Sequence, residues 1–168
     1  GQSLYDPEFL PFLLEQVRES GVPAAHLCFE ITETAAVTNL TSAMRLIATL
    51  KGAGCRFALD DFGSGLSSFA YLKNMRVDYL KIDGIFIRNL PDDVSDVAMV
   101  NSINQVAHAM GIETIAEYVE SDAIRDALVK LGVDYIQGYT PAVPRPLTQV
   151  LKDIVELRGY PKPRHRDV

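Results

Sequence analysis

The chain has 168 residues, 48% of them hydrophobic, with no low-complexity segment; this suits one folded domain with a sizeable core and excludes an intrinsically disordered chain. Twenty-two acids against 16 lysines and arginines give a net charge of −6, so bulk electrostatics disfavour DNA and anionic membrane surfaces. A small anionic ligand is still allowed where a metal or local cations supply positive charge. No signal peptide and no apolar stretch of membrane-spanning length occurs. Cys28 and Cys55 each lie in an apolar, strand-like run and read as buried free thiols of a reducing compartment. A cytoplasmic location follows, and an anchor elsewhere in a longer parent protein is compatible with it.

Residues 1–4 are polar and contain no strand. Asp6-Pro7 or Leu10-Pro11 opens a first helix, with Leu10, Leu13, Leu14 and Val17 at helical spacing. Gly21 ends it and Pro23 prevents a restart. A first strand runs through Leu27-Cys28-Phe29-Glu30-Ile31-Thr32-Glu33. Glu30 lies within its apolar run, where a buried acid needs a partner; a structural salt bridge accounts for it as well as a functional role does. Asn39 or Thr41 caps the next helix, with Leu40, Met44, Ile47 and Ala48 on one face and Gly52 and Gly54 stopping it.

The stretch Phe57-Ala58-Leu59-Asp60-Asp61-Phe62-Gly63-Ser64-Gly65 organises the chain. A buried strand drives into two adjacent carboxylates and then a glycine turn. Keeping both acids charged there needs positive charge, and a divalent metal is the simplest source. The plainer alternative has one Asp capping a helix and the other facing water; acids at other strand ends favour the metal.

Ser67 or Ser68 starts a short helix through Leu72. The next strand is Val77-Asp78-Tyr79-Leu80-Lys81-Ile82-Asp83, with Lys81 and Asp83 on one face. A lysine in a buried strand pairs with a neighbouring acid in its plainest role. Residues 94–110 form a long helix on which His108 is a surface or packing residue. Ile112 to Glu117 is a strand ending in an acid, followed by Tyr118-Val119-Glu120. Ser121 caps a helix closed by Gly132, with Ile124, Ala127, Leu128 and Leu131 inward. Val133 to Tyr139 is the last strand, and residues 147–157 form a final helix beyond a proline-rich loop. The domain is expected to span residues 1–158. Residues 159–168 are expected to be a disordered, solvated tail rather than a nucleic-acid patch.

Alternating strands and helices predict a parallel α/β sheet with right-handed crossovers. Glu30, Asp60, Asp61, Lys81, Asp83, Glu117 and Gln137 gather at the carboxyl ends of the strands, the edge where a (β/α)8 barrel builds its site. Five strands are too few for such a barrel, which takes about 250 residues. The absence of a strand before the first helix favours a partial barrel lacking its first strands over a smaller open sheet.

These motifs resemble the EAL domain family of cyclic di-GMP phosphodiesterases. The matches are Glu30-Ile31-Thr32-Glu33, Leu59 to Gly65 with Ser67-Ser68, Leu80-Lys81-Ile82-Asp83, Ile115 to Glu120, and Gln137-Gly138-Tyr139, in the family's order. The resemblance implies a TIM-like barrel of the EAL type and two-metal hydrolysis of cyclic di-GMP to the linear dinucleotide pGpG, with two Mg2+ or Mn2+ ions. It implies that Glu30, Asp60, Asp61 and Glu117 hold metal, and that Glu117 alternatively acts as base on the water. Lys81 would orient or polarise that water. Glu33 would hold the loop after the two aspartates, Glu120 and Gln137 would support the site, and Asp83 would sit at its edge. Carboxylate oxygens suit hard cations, and the chain offers no Ser–His or Cys–His pairing and no P-loop lysine.

The resemblance also implies a homodimer through the barrel edge or the loop of residues 62–68, and further domains in a longer parent. The Glu-Ala-Leu motif and an Asn ligand of the family have no counterpart in this chain, so the isolated chain is expected to hydrolyse poorly. Tyr118 stands where many members have Gly, and Gly84 where a larger residue is common. A non-catalytic cyclic di-GMP receptor is the alternative function. A pure interaction module, its acids buried in salt bridges, is the third.

Overall fold

The computed structural model describes residues 6–65 and 69–157. Its centre is a five-stranded parallel sheet in the order β1-β2-β3-β4-β5, made of Cys28–Thr32, Arg56–Phe62, Tyr79–Ile82, Glu113–Ala116 and Tyr135–Ile136. Sequential order with every neighbour parallel is what repeated right-handed strand–helix units generate. Each inner strand bonds two neighbours, while β1 and β5 each bond one among the described residues. Phe57, Leu59, Leu80, Ile82 and Ala116 are buried in the sheet.

The helices follow the sequence signals closely. α1 (Phe9–Glu19) leans on the core through partly buried Leu10, Leu13, Leu14 and Val17. α3 (Leu40–Gly52) starts where the Asn39 side chain accepts from Ser42 N at 3.2 Å. α5 (Val94–Ala109) starts at Asp93, whose carboxylate accepts from Ser95 N and Asp96 N. α6 (Asp122–Leu131) is capped by Ser121 and ends at Gly132 with φ +73°, where glycine avoids the left-handed penalty. α4 (Phe69–Leu72) and α7 (Leu147–Leu157) complete the set.

Several expectations need correction. The first strand stops at Thr32, because the Thr32 hydroxyl accepts from Ala35 N and caps a short helix, α2 (Glu33–Thr38). Glu33 therefore opens a helix rather than closing a strand, and it is 3% exposed. On α3 the inward face is Ala43, Ile47 and Leu50, while Ala48 points outward. The last strand shrinks to two residues. Cys28 is exposed and only Cys55 is buried, since Cys28 opens β1, which has a neighbour on one side only among the described residues. Glu30, on the same strand, is also exposed. The expected disordered tail, residues 159–168, lies outside the described residues, as do Ser67 and Ser68.

Candidate metal centre

Consecutive residues of a regular strand point to opposite faces, so Asp60 and Asp61 should diverge. They do not, because β2 carries a bulge. Leu59 pairs with Leu80 and Phe62 with Ile82, which puts one extra residue on β2 between two ladder positions. Asp61 absorbs it with φ +56°, in the left-handed region that Asp tolerates better than most side chains. The bulge turns both carboxylates toward one site, where Asp60, Asp61 and Glu117 each offer an oxygen within 4.8 Å of the others.

Lys81 reaches the same place from β3. It is 3% exposed, and its Nζ lies 2.8 Å from Asp60 Oδ1, 2.9 Å from Glu117 Oε1 and 3.0 Å from Glu30 Oε2. Burial opposes its charge, yet the carboxylates of Asp60, Glu117 and Glu30 outweigh burial and hold the ammonium above the ordinary lysine range. Burial pushes the Glu117 carboxyl up, with Lys81 partly offsetting it; burial and neighbouring Asp60 push Asp61 up. The chain thus gathers four acids around one buried cation. Asp60 Oδ1 is buried and has no hydrogen-bond partner among the described residues, meeting the lysine only as an ion pair. A buried, under-bonded carboxylate oxygen beside surplus negative charge fits a hard divalent cation.

The supporting residues sit around this cluster. Glu33 Oε2 accepts from Gly63 N at 2.9 Å, and the Tyr71 hydroxyl donates to Glu33 Oε1. Gly63, at φ +99°, passes so close to Phe86 that a Cβ would stand 2.5 Å from Cε2. Asp83 caps a 3-10 turn (Gly84–Phe86), accepting from Ile85 N at 2.8 Å, and does not belong to the three-acid group. Glu120 and Gln137 line a cavity of about 210 Å3 with Glu117, Tyr118, Gly138 and Tyr139. Glu30 is 49% exposed at its side chain, so the buried acid expected on β1 is a half-open one that Lys81 reaches. A cavity of about 740 Å3 lies at the opposite edge of the sheet, between Arg56, Tyr79 and Glu113 at the strand starts, away from the acids.

Two contacts carried no expectation. Tyr71 as a partner of Glu33 is invisible in sequence because 38 residues separate the two. Tyr118 and Gly84, the two departures within the matched motifs, touch each other in space.

The sequence model of the EAL domain family matches residues 1–144. Among curated proteins, the chain is 44% identical over 147 residues to cyclic di-GMP phosphodiesterase PdeB of Shewanella oneidensis, covering 88% of this chain and 17% of that protein. It is 44% identical over 137 residues to cyclic di-GMP phosphodiesterase PdeF of Escherichia coli K12, covering 82% and 18%. The chain thus spans less than a fifth of the length of these relatives. Among solved structures, the PaMucR phosphodiesterase in complex with c-di-GMP superposes with a TM-score of 0.81 at 30% identity, covering 88% of this chain and 60% of that one.

Proposed function

This chain belongs to the EAL domain family, and we propose that it is a hydrolytic domain that opens cyclic di-GMP to the linear dinucleotide pGpG. The observation that carries the reading is the convergence of Asp60, Asp61 and Glu117 from two strands beside the buried Lys81. Asp60, Asp61, Glu117 and Glu30 would hold Mg2+ or Mn2+, two ions by resemblance to the family. Bound there, they would neutralise the phosphodiester and make water nucleophilic near neutral pH.

The chain's own residues do the rest. Water oxygen forms a bond to phosphorus, the bond from phosphorus to one ribose oxygen breaks, and that oxygen takes up a proton. Lys81, fixed by three carboxylates, orients the attacking water and keeps the acids from repelling one another apart. Where it does not itself hold metal, Glu117, its carboxyl pushed up by burial, would accept a proton from that water. Glu33 ties Gly63 and so restrains the loop that follows both aspartates. By resemblance to the family the chain would act as one domain of a longer protein and as a homodimer, and a nucleotide substrate would place it in the cytoplasm; no helix among the described residues is long and apolar enough to cross a membrane.

The test is conversion of cyclic di-GMP in the presence of Mn2+, followed by chromatography, with calorimetry of Mn2+ binding alongside. Asp60→Asn is expected to lower both metal affinity and turnover by roughly 100-fold. Equal Mn2+ binding by the two proteins removes the site assignment. Cyclic di-GMP binding without turnover, in a longer chain that carries the family's Glu-Ala-Leu and Asn ligands, would favour the receptor reading.

A further inference from the structure

The turn after β4 adopts a conformation that its residues do not favour. Tyr118 sits at φ +54°, the left-handed region in which a bulky aromatic is strained. Such strain persists only where the surroundings enforce it, and three contacts do so here. The Tyr118 ring lies in a notch at Gly84, where a Cβ would stand 2.2 Å from Cδ2 and 2.7 Å from Cγ. The Arg88 guanidinium covers the ring with its Cζ 4.4 Å from the centroid. On the other side Val119 packs on Gly138, where a Cβ would come within 2.4 Å of Val119 N and O. Val119 N also donates to Gln137 O at 3.1 Å, and Thr140 N donates to Val119 O at 3.0 Å. The turn is clamped between two glycines, one from each flanking strand end, and its first residue is Glu117.

We propose that Tyr118 is a positioning residue: its ring, seated at Gly84 and covered by Arg88, locks the turn that presents Glu117 to the acid cluster. This rests on reading that cluster as a metal site. The lock acts from outside the cluster, because Tyr118 belongs neither to the three-acid group nor to the ion pairs of Lys81. It is the kind of supporting contact whose loss typically costs 10–100-fold in metal affinity.

The experiment measures two quantities on the 168-residue chain: Mn2+ affinity by calorimetry, and amide exchange protection at Val119 without metal. Gly84→Ala puts a methyl where the ring lies and is expected to weaken Mn2+ binding roughly tenfold and to lower Val119 protection. Tyr118→Phe keeps the ring and is expected to match the wild type in both. Arg88→Ala, exposed and safe for folding, is expected to weaken binding roughly threefold. Gly84→Ala with unchanged protection and affinity overturns the proposal, and so does Tyr118→Phe behaving like Gly84→Ala. Should Gly84→Ala fail to fold, unchanged values in Arg88→Ala overturn it instead. If the wild type binds no Mn2+, the metal reading falls by itself. Protection then decides the lock: lost in Gly84→Ala, it stands; unchanged, it falls.

Discussion

Lys81 is the residue on which the site's electrostatics turn. Its ammonium is the cation that Glu30, Asp60 and Glu117 share, and its side chain is 4% exposed. Removing one member of a buried ion cluster leaves unpaired charge in a poorly solvated place, which costs more than the intact cluster contributes. Lys81→Met is expected to destabilise the metal-free chain by about 3 kcal/mol, at the low end for a broken buried pair, because water screens the half-open Glu30. Urea unfolding of the two proteins measures this. Added Mn2+ should recover part of the loss, since the metal replaces the missing positive charge. A variant as stable as the wild type would mean that the acids are neutral or well hydrated. Asp61 makes the complementary point: its left-handed φ spends backbone strain to bring a second carboxylate into the same space.

At the scale of elements, what matters is how strand ends are tied. Asp134, at the start of the β5 segment, accepts from Thr114 N at 2.7 Å and from Thr114 Oγ1 at 3.1 Å, and it pairs with His108 Nε2 at 2.7 Å. Thr114 Oγ1 also lies 2.6 Å from Asn104 Oδ1, and Asn104 Nδ2 donates to the carbonyls of Leu131 and Gly132. One polar network thus joins α5, the end of α6, β4 and the approach to β5. Burial opposes the Asp134 charge, but the bonds from Thr114 and His108 prevail and hold its carboxyl below the ordinary range. A depressed carboxylate adds stability above its unfolded value and loses it as pH falls through the folded value. Asp134→Asn is therefore expected to cost about 1–2 kcal/mol at neutral pH. That gap should narrow below about pH 4 in denaturant titrations. A gap that stays constant in acid would mean the charge is not what the network uses.

The whole molecule has the α/β architecture of EAL domains, which are TIM-like barrels, and its sheet presents two outer edges at β1 and β5 among the described residues. Unpaired strand edges recruit other strands, and burying apolar surface at about 25 cal/mol per Å2 rewards the contact. The 168-residue chain is expected to self-associate with rising concentration in sedimentation velocity. Cys28, exposed on β1, provides a second readout, because its labelling by a maleimide should slow as the edge is covered. A single monomeric species with constant labelling across the micromolar range would contradict this.

The sequence by itself determined the order of the five strands and of every described α-helix but α2, several of the caps, and the edge at which the acids gather. Those features are local: apolar runs of strand length, Asn39 and Ser121 before apolar stripes, and Gly132 after one. The five ordered motifs around Glu30, Asp60, Lys81, Glu117 and Gln137 carried the family as well. Only the tertiary structure decided how adjacent Asp60 and Asp61 come to face one site, since a one-residue bulge depends on the register against β3. It alone decided that Cys28 and Glu30 lie open, since burial on a strand depends on whether a neighbour covers it. The meeting of Tyr118 with Gly84 is of the same kind. No local propensity encodes it, because a ring and the space left by an absent Cβ, 34 positions apart in the chain, are complementary only after β3 and β4 have paired.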